Sequence, residues 1–430
     1  MPATKSDLAP PQSWAEGPRL VLSPGKSKLF YNRQPWVFPG AISHALGDPK
    51  DGQVVALLSH TLRFVGWGIY NSRSKVRVRM YSWNPDLPPN EALFLQRLQN
   101  AIKLRKDLSL FKPEGGCRLV SSEGDFLSGL TVDYYGGWLV IQISALGIGQ
   151  RITMLADLLN KIVMPRGILV RVEKSMGKLE GLELEDRLIC GVPPSEPLEY
   201  IEEGVRLQVQ PSTGQKTGAY LDQRLNRVVV GALAKGRTVL DGFCYAGGFG
   251  LQAATQGAVS VVGIDQSEPA LKLAREHAEL NGVAACMTWV KAEVFEELSR
   301  REEAGESFGL VVLDPPKFAQ SRHAVDEALR GYRRLYTLGM RLTESSGFLV
   351  ICCCTGLINW NMLEELVEQV GAEERRDVQI IQKLGPSPDH PVAASCRESA
   401  YLKCMVLRLG TVNRTRGRAI SEDVSSHQSN

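Results

Sequence analysis

From about Asp222 onward the chain alternates strictly between short apolar runs and helical patterns, and this alternation constrains its fold more than any other feature. The runs are Val239-Leu240-Asp241, Val259 to Asp265, Cys286 to Ala292, Leu310 to Asp314, and Phe348 to Cys354. Between them lie helical repeats around Leu271, Ala274, Ala278 and Leu280, then Phe295 to Arg301, Ala328 to Leu342, and Met362 to Val370. Nearly continuous apolar strands separated by helices predict a parallel sheet buried on both faces. Ligands bind such sheets outside the carboxyl ends of the strands. In this chain each of those ends carries a chemically capable residue: Asp241, Asp265, Glu293, Asp314 and Cys354. Two further runs, Val378 to Lys383 and Tyr401 to Leu407, predict an antiparallel closing pair.

The preceding sequence reads differently. Short strand-like runs at Gln53 to Leu58, Phe64 to Tyr70 and Lys75 to Tyr81 suggest a small β barrel over residues 19–84. Pro85, Pro88 and Pro89 mark a linker. Residues 90–197 mix helical and strand patterns and predict a central α+β domain, and 198–410 form the third domain. Residues 1–18 are expected to be a disordered leader and 411–430 a flexible tail. A chain of 430 residues has room for about three domains.

Composition narrows the function classes. Lys plus Arg is 50 against 47 for Asp plus Glu, which excludes a protein that coats nucleic acid through bulk positive charge. No apolar run reaches the ~18 residues a membrane helix needs, so no membrane partner is expected. Nine irregularly spaced cysteines are no disulfide framework and suit a reducing cytoplasm. No Cys-x-x-Cys or His-x-His pair accompanies them, so no metal is expected.

Three segments carry the chemistry. Asp241 opens Asp-Gly-Phe-Cys-Tyr-Ala-Gly-Gly-Phe-Gly, where glycines let backbone approach a ligand, and Asp265 is placed to accept the hydroxyl protons of a ribose. Asp314-Pro315-Pro316-Lys317-Phe318 is a rigid turn able to hold a carboxylate and an aromatic ring against a flat ligand. Cys352-Cys353-Cys354 closes the fifth strand. Cys352 and Cys354 share a face, and Cys354, nearest the loop, is the most exposed and so the candidate nucleophile.

These segments resemble the class I S-adenosylmethionine-dependent methyltransferases. More narrowly they resemble the bacterial large-subunit ribosomal RNA cytosine-C5 methyltransferase family. The narrower likeness rests on Gly214 to Arg224, which reads Gly-Gln-Lys-Thr-Gly-Ala-Tyr-Leu-Asp-Gln-Arg, and on Asp389-His390-Pro391 with Tyr401-Leu402-Lys403. It rests also on Leu22-Ser23-Pro24-Gly25 and Pro35-Trp36-Val37-Phe38, which resemble a PUA-type RNA-binding domain. The likeness spans about residues 19–409. It implies a Rossmann-like methyltransferase sheet, mostly parallel with an antiparallel closing strand, behind a PUA-like domain and a central α+β domain. It implies S-adenosyl-L-methionine as cofactor and ribosomal RNA as partner; a homodimer is allowed. The implied cofactor residues are Thr217, Tyr220, Arg224, Asp241, Phe243, Cys244, Gly247, Asp265 and Glu293, with Glu293 facing the adenine amino group. Cys354 is implied as the thiolate that adds to C6, and Asp314 as the group that assists at N3. Lys26, Arg73, Arg77, Lys317 and Arg333 are the expected RNA ligands, among basic residues interleaved with aromatics. Methylation of a ring or exocyclic nitrogen, which needs no cysteine, is the alternative reading. A non-catalytic RNA-binding assembly factor is the third.

Overall fold

The computed structural model describes residues 13–172, 174–194, 197–211, 218–319 and 321–412. The alternating region forms a seven-stranded sheet. Its strands are β1 (Thr238–Gly242), β2 (Ser260–Asp265), β3 (Met287–Lys291), β4 (Phe308–Leu313), β5 (Thr343–Cys353), β6 (Arg376–Leu384) and β7 (Lys403–Val412). The order across the sheet is β3-β2-β1-β4-β5-β7-β6. β1 to β5 run parallel, and β7 lies antiparallel between β5 and β6. The chain builds outward from β1 to β3, then crosses back to lay β4 on the other side of β1. That reversal opens a crevice above the ends of β1 and β4.

Burial on both faces explains the apolar runs. Leu240, Val311, Leu349, Ile351 and Cys353 enter one core, whereas Val239, Val312, Val350 and Cys352 enter the other. Successive residues of a strand point to opposite faces, so each strand must be apolar throughout. The helices are α1 (Arg224–Ala232), α2 (Gly248–Thr255), α3 (Glu268–Leu280), α4 (Val294–Glu303), α5 (Val325–Leu342) and α6 (Trp360–Glu373). Side-chain caps start three of them: Ser267 on the Ala270 N–H, Glu293 on the Glu296 N–H and Asn359 on the Met362 N–H.

Ahead of this sheet, six strands between Arg19 and Ser82 surround a core of Leu20, Leu22, Phe30, Val55, Leu57 and Met80. Trp14, inside the segment expected to be a leader, packs its ring on Phe64 at 5.8 Å. Residues 1–12 and 413–430, most of the expected leader and tail, lie outside the described residues. The central segment is a five-stranded sheet, Gly116–Ser121 to Arg187–Gly191, covered by helices Glu91–Asp107 and Ile152–Val163. A hairpin, Leu198–Glu202 with Val205–Val209, connects it to the large sheet. Among the described residues no helix is long and apolar enough to cross a membrane.

A buried polar hub joins the central sheet to the large one. Asp389 is wholly buried. Its Oδ2 accepts the Arg118 N–H at 3.0 Å and meets Arg224 Nη2 at 3.3 Å, and its Oδ1 lies 3.0 Å from His390 Nδ1. Arg105, also wholly buried, grips Asp125 with both Nη atoms and donates to the carbonyls of Arg118 and Asp389. Burial alone raises a carboxyl, but His390, Arg224 and the Arg118 N–H outweigh it and hold Asp389 well below the usual range.

Asp389→Asn leaves the buried Arg224 guanidinium facing a neutral amide. We expect it to cost about 3–5 kcal/mol in urea unfolding at pH 7. A depressed carboxyl stabilises the fold above its ordinary value and ceases to do so as the pH falls through its folded value. The gap between wild type and variant therefore narrows in acid, below about pH 4.

Candidate functional site

The crevice is built from strand ends. At the end of β1, Asp241 is 1% exposed; its Oδ2 accepts the Gly250 N–H at 2.8 Å, and its Oδ1 is buried without a hydrogen-bond partner. Burial pushes its carboxyl up to about 7, with Asp314 adding to the rise and the Gly250 N–H opposing it. The turn that follows is left-handed at Phe243, Tyr245 and Gly247, with φ of 63°, 49° and 82°. Two of these are bulky residues in a conformation that costs them energy. Hydrogen bonds hold the turn in place. Cys244 N–H donates to the Ile264 carbonyl at 3.0 Å, and Tyr245 N–H to Asp265 Oδ2 at 2.9 Å. Gly247 is required, since a Cβ there would meet the Trp289 ring at 2.6 Å. Asp265, at the end of β2, also accepts the Ser267 N–H through Oδ1. The Cys244 thiol is pushed well above its ordinary value by burial and by Asp241 and Asp265, so it stays a neutral packing group.

On the other side of the crevice, Asp314 follows β4. Its Oδ2 accepts the Gln223 side-chain N–H at 3.1 Å. Burial and the neighbouring Asp222 push its carboxyl up to about 7, against Arg227 and Gln223. Asp222 accepts the Tyr401 hydroxyl at 2.6 Å, and Gln223 is fixed in turn by Asn226. Cys354 stands just beyond β5, half-buried, with Sγ 4.0 Å from the Pro315 carbonyl. Its neighbours Cys352 and Cys353 are buried. Tyr220 closes the group: its ring stands edge-on to Tyr245 at 5.4 Å. Its hydroxyl is pushed up by burial and then by Tyr245, Asp314, Asp222 and Cys354, which puts it within electrostatic reach of both sides of the crevice.

The structure thus gathers Tyr220, Asp241, Phe243, Cys244, Gly247, Asp265, Asp314 and Cys354 along one edge of the sheet. Other expected residues are engaged elsewhere. Arg224 is spent on Asp389 and on the Gly116 carbonyl, inside the hub. Glu293 lies at the β3 end but uses its carboxylate as the cap of α4, accepting the Glu296 N–H at 2.9 Å. Thr217 lies outside the described residues. Among the expected RNA ligands, Lys26 and Lys317 are exposed. Arg73 reaches Asp51 and the Gly181 carbonyl, Arg77 closes its own turn onto Asn71 and Ser72, and Arg333 is tied to Glu373 and Gln369 on α6. Gln223, Asp222, Tyr245 and Lys403 join the site without having been singled out for a role. A charged residue leading an apolar strand was the available signal for Lys403. Among the described residues no group of His, Cys, Asp and Glu is arranged to hold a metal.

Comparison with known proteins adds five findings. Residues 185–408 match the S-adenosylmethionine-dependent methyltransferase family, and residues 20–83 match a PUA-like domain. The chain is 35% identical over 392 residues to ribosomal RNA large subunit methyltransferase I of Shewanella amazonensis, covering 91% of this chain and 99% of that one. It is 33% identical to the protein of the same name from Escherichia coli O139:H28, with the same coverage. Its fold is similar to that of a solved methyltransferase complexed with SAH, with a TM-score of 0.78 at 20% identity, over 91% of this chain and 99% of the other.

Asp241 supplies a pH test of this electrostatic picture. A carboxyl raised to about 7 stabilises the fold in its protonated form, and that contribution is lost as the pH rises through 7. Asp241→Asn is neutral at every pH. Thermal melts of the two cofactor-free proteins from pH 5 to pH 8 should therefore show wild type losing ground to the variant as pH rises; a constant difference contradicts the assignment.

Proposed function

The chain belongs to the S-adenosylmethionine-dependent methyltransferases, in the family of the ribosomal RNA large subunit methyltransferase I proteins, and from that premise we propose that it methylates C5 of a cytosine in large-subunit ribosomal RNA through a covalent adduct at Cys354. One observation carries the C5 reading. The accessible cysteine of an otherwise buried triplet stands at a strand end, beside the Asp-Pro-Pro turn and on the edge that bears the cofactor-type carboxylates.

The residues at the β1–β2 edge fit S-adenosylmethionine. Asp241 keeps a buried oxygen with no protein partner, and the left-handed turn from Phe243 to Gly247 brings bare backbone to the crevice. Asp265, Tyr220 and that turn would hold the cofactor. When bound, it supplies an electrophilic methyl group to the cytosine.

Cytosine C5 is too weak a nucleophile to take that methyl unaided, and the chain's own residues change this. The Cys354 thiolate forms a bond to C6, and the electron pair of the C5–C6 double bond moves toward C5. Asp314, raised to about 7, carries a proton in a substantial fraction of molecules at neutral pH and donates it to N3 as charge builds there. After methyl transfer C5 loses its proton as H⁺, the double bond re-forms, the C6–sulfur bond breaks to return the thiolate, and N3 gives its proton back to Asp314. The PUA-like segment and exposed Lys26 and Lys317 serve RNA by contacting phosphate.

Cys354→Ala tests the reading. Methyl transfer to ribosomal RNA should fall to background while S-adenosylmethionine binding by calorimetry is kept. Full transfer by the variant, or a methyl group mapped to a nitrogen by mass spectrometry, overturns it.

A further inference from the structure

A buried lysine opens the last strand of the large sheet. Lys403 begins β7 and is only 5% exposed. In the β5–β7 ladder it lies opposite Cys353, one residue before Cys354. Its Nζ donates to the Thr355 carbonyl at 3.1 Å and to the Tyr401 carbonyl at 3.0 Å. The ammonium therefore grips the peptide that follows Cys354 and the segment whose tyrosine holds Asp222. An ammonium buried this deeply is costly without a charge partner, yet no carboxylate ion-pairs with it among the described residues. What its surroundings offer instead is sulfur. Burial lowers Lys403 from the ordinary lysine value, and the neighbouring Cys353 and Cys354 raise it again. Attraction between an ammonium and a thiolate is mutual, so whatever favours the charged lysine also favours a charged cysteine.

We propose that Lys403 is the positioning residue that holds Cys354 as a thiolate and fixes the turn presenting it. The proposal rests on the reading of Cys354 as the nucleophile. The other groups facing this corner cannot supply the charge. Asp314, Asp222 and Tyr220, on the Cys354 side, are anionic or neutral and oppose a thiolate. Tyr332 and Tyr336 of α5 lie against Cys353 and are pushed up by burial. Arg227 is paired with Glu202, and Lys317 is exposed on the proline turn. Cys353 shares the lysine's field but is sealed in the core. Cys354, half-exposed, is the sulfur that this field makes reactive toward a ligand.

The test measures the thiol without measuring catalysis. The full-length protein is alkylated with iodoacetamide from pH 5 to pH 10, and the rate at the Cys354 peptide is read by mass spectrometry. In wild type the midpoint should fall below the free-cysteine value of about 8.5. Lys403→Met should move it up by about one pH unit or more, which slows alkylation at pH 7 about tenfold, and Lys403→Arg should restore most of the loss. Calorimetric binding of S-adenosylmethionine reports whether each variant is folded. An unchanged Cys354 profile in a Lys403→Met protein that still binds the cofactor overturns the proposal. So does a wild-type midpoint at or above the free-cysteine value, which needs no variant at all. Failure of the nucleophile reading itself shows separately, as full methyl transfer by Cys354→Ala.

Discussion

The arrangement of this molecule depends on one buried carboxylate. Asp389 is held by the Arg118 backbone of the central sheet, by Arg224 at the start of α1 and by His390 beside it. Through its own carbonyl it is held by Arg105 as well. Apart from the His390 contact, each crosses between segments far apart in the chain. The consequences run directly into the crevice. Ser387 N–H donates to the Asp222 carbonyl at 2.8 Å, and the residue after Asp222 is the Gln223 that hydrogen-bonds Asp314. Downstream of Asp389 the chain delivers Tyr401 to Asp222 and Lys403 to the turn after Cys354. A buried ion cluster is seldom better than apolar packing for net stability. Its value here is that one docking geometry satisfies all the charges, and that geometry sets the far wall of the site.

The site crowds negative charge. Asp241 and Asp314 both rise to about 7, and each is among the groups that raise the other or its neighbours. Such crowding is unfavourable in the empty protein and is relieved by a positively charged ligand. A methylsulfonium cofactor carries such a charge. Strain at Phe243 and Tyr245 has the same sense: the fold accepts two left-handed non-glycine residues to bring the backbone between β1 and β2 into the crevice.

Much of this was legible in the sequence because the controlling signals are local. Continuous apolar runs read as two-faced strands, and the polar residue ending each run marked the crevice. Cys354 differed from Cys352 and Cys353 by its position at the end of a strand. The illegible part is long-range. Arg224 and Arg333 look like free cations until Asp389 and Glu373 are brought beside them by the fold. Arg73 and Arg77 are absorbed by turns and by a segment more than a hundred residues away. Glu293 is a case where a local signal was present: a carboxylate three residues before another helical N–H is a cap as readily as a ligand. Strand β5 begins at Thr343, earlier than its apolar run, because Thr343 pairs with Phe308 of β4 across an irregularity before the ladder resumes at Phe348.

The central claim is that a cysteine at the end of β5 forms a covalent bond with a pyrimidine. It can be tested by trapping. A large-subunit ribosomal RNA substrate containing 5-fluorocytosine has no C5 proton to release, so the adduct formed after methyl transfer cannot resolve. Incubation with S-adenosylmethionine, digestion and mass spectrometry should find the modified nucleotide on the peptide containing Cys354. Efficient methylation of ordinary RNA with no adduct on the fluorinated substrate, or an adduct on a different cysteine, contradicts the account.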